Sequence, residues 1–382
     1  MKVLIVVTHL LGTGHLARAL VLARALRAAR HHVQVISGGM PASHLDAEGV
    51  TVTQLPALKS DGVNFKRLLD ADGNEATPAL LDKRRTAALR VLSDMQPDIV
   101  ITELFPFGRR VLSDEFVALL DAAIVMPSRP LICASIRDIL APPSKPAKAA
   151  ATDALVAGCY DAVLVHSDPK ITPLDASWPV SDSLREKLYY TGFVCPPPAA
   201  DHRSTTPVQT VIVSAGGGNV GGPMNTATRQ AALAAPDLHW HLLVGGADAQ
   251  ERITALRHQA PENMTIEPVR PDFRKMLFSA AASVSMCGYN TALDILQAGT
   301  PAVFVPFDAG GEVEQSLRAR ALEKLDGIEM LKNTDLAAQQ LVDAVRRVLR
   351  APVRAPVLHS MDGARRTVEI LSNLNKSVSH ER

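Results

Sequence analysis

The sequence has few of the features that mark membrane-spanning, disulfide-linked or nucleic-acid-binding proteins. None of its apolar runs approaches the roughly 20 residues that a membrane-spanning helix needs. Its 4 cysteines are far apart and form no Cys-x-x-Cys pair, so neither a disulfide framework nor a zinc site is indicated. Aromatic residues make up only 4% of the chain, and 40 basic against 39 acidic residues give a net charge of +1. Few stacking rings and no excess of positive charge argue against nucleic-acid binding.

The chain does have a regular alternation of short apolar runs and amphipathic segments. A continuous β-branched run such as Val3–Val7 is typical of a strand that is covered on both faces. Because this run stops at Thr8, we interpret it as a buried strand rather than a signal peptide, and we expect a cytoplasmic protein. The alternation predicts an α/β fold with mainly parallel, doubly wound sheets. The predicted strands are Val3–Val7, Val33–Ser37, Val50–Leu55, Asp98–Thr102, Leu131–Ser135, Ala162–His166, Thr210–Ser214, Trp240–Val244, Ser283–Met286 and Ala302–Pro306.

A segment rich in proline and small polar residues interrupts this alternation near residue 200. Its composition suits an interdomain linker, and the strand–helix pattern restarts after it. We therefore predict an N-terminal Rossmann-like domain over residues 1–195, a linker over 196–207 and a C-terminal Rossmann-like domain over 208–360. Ligands of such sheets bind beyond the carboxyl ends of the strands.

The first candidate site is the loop between the first strand and the first helix. Gly12, Thr13 and Gly14 allow a tight turn, and the helix that follows offers backbone N–H groups to an anion. His15 stands at the start of that helix, where it could act as a general base. The alternative is a solvated histidine without a chemical role, and the residues alone leave both open.

The second candidate is a glycine-rich loop between a strand and a helix in the C-terminal half. Five of the nine residues from Ser214 to Gly222 are glycines, and a row of N–H groups there would bind a diphosphate. A flexible turn is the alternative. A third candidate follows the strand near Met286. Thr291 suits a helix start there, and Asp294 could accept hydrogen bonds from two ribose hydroxyls.

A fourth group of polar residues follows three strands of the N-terminal half. Because these loops lie at the same sheet edge as His15, their side chains are candidates to converge there, although salt bridges within loops are equally plausible for any one of them. The candidates are Asp61, Asn64, Glu103, Arg109, Arg137 and Asp138. The segment Leu104–Arg110 combines apolar and basic residues, so we also consider peripheral contact with the inner face of a membrane.

The C-terminal half resembles glycosyltransferase family 28, whose best-known member is the N-acetylglucosaminyl transferase of lipid II synthesis. The resemblance rests on Gly288-x-x-Thr291-x-x-Asp294, on Gly299-x-Pro301, and on the Glu314-Gln315 pair. The two glycine loops match in the same order. The N-terminal blocks around Ser60–Arg67, Glu103–Arg110 and Arg137–Leu140 resemble a less studied bacterial branch of predicted glycosyltransferases.

This resemblance implies a GT-B architecture, in which two Rossmann-like domains face each other across a cleft and the C-terminal one binds a nucleotide sugar. It further implies that residues 361–382 form a helix and tail that pack back on the N-terminal domain. The reaction would be inverting, with neither metal nor resident cofactor, and the donor a UDP-sugar. The implied donor-binding residues are Gly216, Gly217, Gly218, Asn219, Val269, Arg270, Gly288, Asn290, Thr291, Asp294, Glu314 and Gln315. Asp294 stands where the family usually has a glutamate.

In the reaction that we expect, an acceptor hydroxyl loses its proton as it attacks the anomeric carbon of the donor sugar. His15 is the first candidate for the base, with Glu103 and Asp138 as alternatives. The sequence leaves open the acceptor, the donor sugar and the oligomeric state. A UDP-sugar 2-epimerase and a nucleotide-sugar-binding protein without catalysis remain alternative functions.

Overall fold

The computed structural model describes residues 1–43, 45–60, 67–197, 209–216, 220–246, 248–309 and 312–380. The chain divides into two compact units. The N-terminal unit comprises Met1–Pro196 together with Asp362–Arg382, and the C-terminal unit comprises Pro197–Met361. Most of the expected linker lies outside the described residues.

The N-terminal unit contains a sheet of seven parallel strands in the order β3-β2-β1-β4-β5-β6-β7. Its strands are β1 (Lys2–Val7), β2 (His32–Gly39), β3 (Thr51–Leu58), β4 (Ile99–Glu103), β5 (Leu131–Arg137), β6 (Ala162–His166) and β7 (Leu188–Tyr190). Its helices are α1 (Gly14–Ala28), α2 (Pro78–Met95), α3 (Ser113–Ile124), α4 (Pro146–Cys159), α5 (Asp182–Arg185) and, at the end of the chain, α12 (Gly363–His380).

Helices cover both faces of this sheet, which explains the continuous apolar runs of its central strands. Alternate residues of β1 supply two separate cores: Leu4 and Val6 pack with α2 and α3, whereas Val3, Ile5 and Val7 pack with α1. Helix α12 belongs to the second core, because its Leu371 is fully buried there. The last segment of the chain therefore completes the N-terminal unit.

The C-terminal unit contains six parallel strands in the order β10-β9-β8-β11-β12-β13. The strands are β8 (Thr210–Ser214), β9 (His239–Val244), β10 (Met264–Pro268), β11 (Ala282–Ser285), β12 (Ala302–Phe304) and β13 (Ile328–Met330). The helices are α6 (Gly222–Ala234), α7 (Ala249–Arg257), α8 (Phe273–Ser279), α9 (Tyr289–Ala298), α10 (Glu314–Leu322) and α11 (Ala338–Arg350). Helices α6 and α11 pack on the core around Trp240.

The expected α/β class with two doubly wound sheets is confirmed. The outer strands β7, β10 and β13 were not among the predicted strands. A helix start was predicted at Thr291, whereas α9 begins at Tyr289 with Gly288 as its N-cap residue. That prediction was wrong because the extended backbone of Gly288 (φ −64°, ψ 151°) already starts the helix and leaves Thr291 in its first turn.

The segment Leu104–Arg110 offers no apolar surface patch, contrary to the possibility raised by its composition. Phe105 stacks on Phe116 with ring centroids 4.7 Å apart, and Phe107 packs edge-on against Trp178 at 5.3 Å. Both phenylalanines are buried, so their rings contribute no exposed apolar surface beside the basic residues of the segment. Within the described parts of the chain, no helix has the length and apolar character that crossing a membrane requires.

Candidate active site

In the N-terminal unit, the order of the strands reverses between β1 and β4, which are adjacent in the sheet although far apart in the sequence. Such a reversal opens a crevice at the carboxyl ends of the two strands, where doubly wound sheets bind their ligands. The loop after β1 carries Gly12, Thr13 and Gly14 and leads into α1, and Glu103 is the last residue of β4. The topology therefore brings together two of the predicted site segments.

His15 and Glu103 form a hydrogen-bonded pair at this position. The distance from His15 Nδ1 to Glu103 Oε1 is 3.0 Å, and Arg18, one helical turn after His15, forms an ion pair with the same carboxylate oxygen. The His15 side chain is 13% exposed, whereas those of Arg18 and Glu103 are 4% and 1% exposed. Of the three groups, the imidazole is thus the one that a substrate could reach.

Burial and charge determine the protonation states of the pair. Burial raises the pKa of the Glu103 carboxyl, but Arg18, His15 and Ser135 together outweigh it and hold that pKa well below its usual range. Burial also lowers the pKa of His15 to about 3, with smaller contributions from Arg109 and Arg18. At neutral pH the carboxylate is therefore ionised and the imidazole neutral.

The hydrogen bond also decides which ring nitrogen of His15 carries the proton. An ionised carboxylate only accepts hydrogen bonds, so Nδ1 must be the protonated nitrogen if it bonds to Glu103. Nδ1 also lies 3.2 Å from Arg18 Nη2, but that guanidinium nitrogen donates to the same carboxylate oxygen. We therefore assign the proton to Nδ1, which leaves Nε2 as the basic nitrogen.

Arg109 is a second cation near this pair. Its backbone is left-handed, with a φ of 59°, which is uncommon for a residue other than glycine and is often found at functional sites. Its Nε donates to the Thr8 carbonyl at 2.6 Å, which anchors the guanidinium beside the loop after β1. Burial lowers the pKa of Arg109 to about 10, so it stays charged at neutral pH.

The other predicted residues of this unit lie in different settings. Asp138 is 1% exposed and follows β5, so it presents little surface to an acceptor, which favours His15 as the base. Arg137 is half-buried at the end of β5. Asp61 and Asn64 lie outside the described residues.

In the C-terminal unit, the strand order reverses between β8 and β11, and the glycine-rich loop follows β8. Gly216 and Gly221 both have positive φ values, of 82° and 104°, and a Cβ at Gly221 would collide with the side chain of Ala215. Gly221 is the N-cap residue of α6, whose first-turn N–H groups fit an anion. Gly217, Gly218 and Asn219 lie outside the described residues.

Asp294 lies on α9 and forms an ion pair with Arg274, a residue that was not among the predicted site residues. Arg274 Nε donates to Asp294 Oδ1 at 2.8 Å, and its Nη2 reaches Gln297 Oε1 at 2.8 Å and the Pro197 carbonyl at 2.7 Å. Burial raises the pKa of Asp294 to about 6, although Arg274 opposes this shift. The Asp294 side chain, which is shorter than the glutamate usual in the family, is thus held from one side by the Arg274 guanidinium.

Other predicted donor-binding residues surround the same end of the sheet. Gln315 Oε1 accepts a hydrogen bond from the Phe307 N–H at 3.1 Å, and the Glu314 N–H donates to Glu312 Oε1 at 2.7 Å. Arg318 was also not among the predicted site residues. It is buried, donates to the Cys287 carbonyl at 2.9 Å and lies over the Tyr289 ring. It thereby supports the turn that leads into α9.

Five predicted donor-binding residues remain. Gly288 is the N-cap residue of α9, Asn290 is exposed and Thr291 is half-buried. The Val269 N–H donates to the Val244 carbonyl, so of its two backbone groups the carbonyl is the one that could meet a nucleotide base. Arg270 is paired with Glu267 and Asp272 on the surface. Among the described residues, no cluster of histidine, cysteine and acidic side chains could hold a metal ion.

Comparison with known families identifies the C-terminal part of the chain. Residues 223–367 match the model of the glycosyltransferase family 28 C-terminal domain. These residues form a family 28 domain. The resemblance of the C-terminal half to family 28 is thereby confirmed.

Relatives of this family 28 domain occur in several bacteria. The chain is 31% identical over 156 residues to the UDP-N-acetylglucosamine–N-acetylmuramyl-(pentapeptide) pyrophosphoryl-undecaprenol N-acetylglucosamine transferase of Acidithiobacillus ferrooxidans. The aligned region covers 40% of this chain and 42% of that protein. The chain is 25% identical over 178 residues to the enzyme of the same name from Bacillus subtilis, which covers 44% and 49%. The chain thus spans less than half the length of these relatives.

Solved structures share the fold over nearly the whole chain. MurG from Acinetobacter baumannii superimposes with a TM-score of 0.67 at 16% identity, over 98% of this chain and 100% of that one. The glycosyltransferase VinC, solved in complex with dTDP, gives a TM-score of 0.61 at 15% identity, over 100% and 98%. The family 28 domain therefore occurs within a GT-B fold, as expected.

Proposed function

We propose that this protein is a glycosyltransferase that moves a sugar from a nucleotide donor to an acceptor hydroxyl. The observation that carries the proposal is the His15–Glu103 pair, which presents a neutral imidazole with its Nδ1 bound to a buried carboxylate. The family 28 domain, whose relatives are named as UDP-N-acetylglucosamine-dependent transferases, supports a UDP-sugar as the donor.

In the proposed reaction, His15 Nε2 takes the proton of the acceptor hydroxyl as its oxygen bonds to the anomeric carbon. The bond from that carbon to the diphosphate breaks, and UDP leaves with the electron pair. Direct attack from the opposite face inverts the anomeric configuration. Glu103 stabilises the positive charge that develops on the imidazole, as a buried carboxylate does for other catalytic histidines.

The donor is proposed to bind to the C-terminal unit. Gly216 and the first turn of α6 would bind the diphosphate through N–H groups, and Asp294 would accept hydrogen bonds from the ribose. Preorganised N–H groups also stabilise the charge on the departing UDP, which removes the need for a metal ion.

The acceptor can be sought among three classes. The relatives' names specify a pyrophosphoryl-undecaprenol acceptor, and polysaccharides and small metabolites are the other two. The test incubates the protein with UDP-N-acetylglucosamine and one acceptor class at a time, and measures UDP release and the product mass. The proposal is supported if the wild-type protein transfers the sugar and the His15→Ala variant does so at least about 100-fold more slowly. This factor is expected because a general base contributes about 10²–10⁴-fold to the rate.

Two outcomes would overturn it. Formation of a 2-epimer from the donor without acceptor would identify an epimerase instead. Tight UDP binding without turnover of any nucleotide sugar would identify a binding protein. A sample without acceptor and a sample with dTDP-glucose serve as controls for hydrolysis and for the base of the donor.

A further inference from the structure

A second histidine, His166, lies fully buried behind Glu103 and is not used by the proposed reaction. Its Nε2 is 2.9 Å from Ser135 Oγ, and Ser135 Oγ is 2.6 Å from Glu103 Oε2. On its other side, His166 Nδ1 is 2.9 Å from Thr191 Oγ1. These four side chains, Glu103, Ser135, His166 and Thr191, form one row, which we call the Glu103 network.

The pairing of the strands explains why these residues meet. Glu103 of β4 is directly paired with Ser135 of β5, so both side chains point to the same face of the sheet. Ser135 is in turn paired with Leu164 of β6, and His166 follows Leu164 by two residues on that face. This is the face on which α1 packs, and α1 carries His15 and Arg18. The network thus runs across three strands toward His15.

Counting protons gives the direction of each hydrogen bond. Ionised Glu103 only accepts, so the single hydroxyl proton of Ser135 goes to Glu103 Oε2. Ser135 must then accept from His166 Nε2–H. Burial lowers the pKa of His166 to about 3, so the ring is neutral and its Nδ1 carries no proton. The Thr191 hydroxyl lies 2.9 Å from this nitrogen and 2.7 Å from the Gly192 carbonyl oxygen, and its single proton can go to either. The donors of His166 and Ser135 therefore both point toward Glu103.

This arrangement holds the carboxylate from both of its oxygens. Glu103 Oε1 accepts hydrogen bonds from His15 and Arg18, whereas Oε2 accepts one from Ser135. Without Ser135, the carboxylate could turn about its contact with Arg18 and lose its alignment with His15 Nδ1. His166 is the group that orients the Ser135 hydroxyl, because it leaves that hydroxyl no other acceptor than Glu103.

We propose that Ser135 and His166 are positioning residues that fix the tautomer and the orientation of His15 through Glu103. The proposal rests on the proposed role of His15 as the base, but its central test needs no substrate. The charged and titratable groups that face the pair are Arg18 from α1, Arg109 from the loop after β4, and the two histidines themselves.

The test observes the ring nitrogens of His15 in the full-length protein, labelled with ¹⁵N-histidine, by long-range ¹H–¹⁵N spectra between pH 5 and 8. The His15→Gln variant assigns the signal. In wild type we expect one neutral tautomer with the proton on Nδ1. In Ser135→Ala we expect a mixture of tautomers, because the Glu103 carboxylate then loses its alignment with His15 Nδ1 and no longer fixes the proton on that nitrogen.

The matched control is Tyr160→Phe, which removes another buried hydroxyl from the same unit. That hydroxyl bonds to Thr102 Oγ1 and the Phe105 carbonyl, and Tyr160 packs in the core on the opposite face of the sheet. Its loss should leave the His15 signals unchanged. Unchanged signals in Ser135→Ala, or equal changes in Tyr160→Phe, would overturn the proposal.

A kinetic measurement adds a second readout. Ser135→Ala and His166→Leu should lower kcat about tenfold with an unchanged KM for the donor, which corresponds to one hydrogen bond to a charged group. His166→Gln should recover most of this loss, since its amide N–H can replace Nε2–H. Equal losses in His166→Gln and His166→Leu would contradict orientation by a hydrogen bond. Absence of any turnover in wild type would refute the proposed function, while the spectra would still decide the positioning role.

Discussion

The His15 imidazole is surrounded by two arginines and one carboxylate, which come from separate parts of the sequence. Arg18 is close because it follows His15 by one helical turn, whereas Glu103 and Arg109 come from β4 and the loop after it. Burial of the ring and the two nearby cations outweigh the carboxylate and leave the imidazole with little tendency to take up a proton in the absence of substrate. The carboxylate is therefore the group on which stabilisation of the imidazolium depends.

The first prediction concerns the charge of Glu103. Glu103→Gln keeps the shape of the side chain but removes the negative charge, so kcat should fall by about 10²-fold or more. Glu115→Gln is the matched control, since Glu115 forms another buried ion pair, with Arg84, in the same unit. Both variants should lose stability in thermal unfolding, but only Glu103→Gln should lose turnover. An equal loss of kcat in both variants would argue against a specific role of Glu103.

The second prediction concerns the pH dependence of donor binding. Because burial raises the pKa of Asp294 to about 6, its carboxylate becomes protonated as the pH falls through 6, and the ribose loses its acceptor. The Kd of UDP, measured by calorimetry between pH 5 and 8, should therefore rise below pH 6 by up to about tenfold, which corresponds to one charged hydrogen bond.

The phosphates of UDP also titrate in this range, so a control nucleotide is needed. 2′,3′-Dideoxy-UDP has the same diphosphate but no ribose hydroxyls, and its Kd should show only the phosphate contribution. Asp294→Asn should remove the difference between the pH dependences of the two Kd values, because asparagine does not titrate in this range. Parallel pH profiles of UDP and its dideoxy analogue in wild type would show that Asp294 does not hold the ribose.

Individual residues of the site could be predicted from the sequence only where a local pattern marked them. His15 follows a strand and two glycines, and Glu103 ends an apolar run, so both were candidates. Arg274 and Arg318 were not, because an arginine on a helix is usually solvated. Their roles arise from contacts 20 and 31 residues away in the chain, with Asp294 and the Cys287 carbonyl, and no local pattern contains these contacts.

Among the elements, the central strands were more predictable than the outer ones. The strands Ala162–His166 and Thr210–Ser214 agree with the prediction at both ends, because both faces are covered and the apolar run is continuous. The outer strand β10 has the sequence Met-Thr-Ile-Glu-Pro, in which polar and apolar residues alternate. A strand of this kind depends on pairing with β9, which only the folded chain supplies.

The third prediction compares the same substitution in two helices. Gly158 is exposed near the end of α4 and has open space around it, so Gly158→Ala should raise the free energy of unfolding by about 0.5–1 kcal/mol. Gly363 begins α12, where an added Cβ would lie 2.5 Å from the Gly192 carbonyl oxygen and 2.6 Å from that of Phe193. Gly363→Ala should therefore displace α12 and lower the free energy of unfolding.

Urea titration followed by circular dichroism measures both effects. Both variants replace glycine by alanine in a helix. Opposite signs of their changes in the free energy of unfolding would therefore be due to the close approach of the backbone at Gly363. A gain in stability for Gly363→Ala would show that α12 can move without cost.

At the scale of the whole molecule, the chain leaves the N-terminal unit after Pro196 and returns to it at Asp362. The stability of the first unit therefore depends on residues that follow the second unit in the sequence. Within that unit, α12 packs against α1, the helix that carries His15. The C-terminal unit has its own core around Trp240, so we expect it to fold without α12.

The last prediction tests this division. Leu371 on α12 is fully buried, so Leu371→Ala should lower the free energy of unfolding of the N-terminal unit by about 2–5 kcal/mol. Scanning calorimetry with and without UDP separates the units, because a nucleotide that binds the C-terminal unit raises only the transition of that unit. Leu371→Ala should lower the transition that UDP leaves unchanged, and exposed Glu369→Ala on the same helix should shift neither. A loss of the UDP-dependent shift in Leu371→Ala would mean that the C-terminal unit needs α12 to bind its nucleotide.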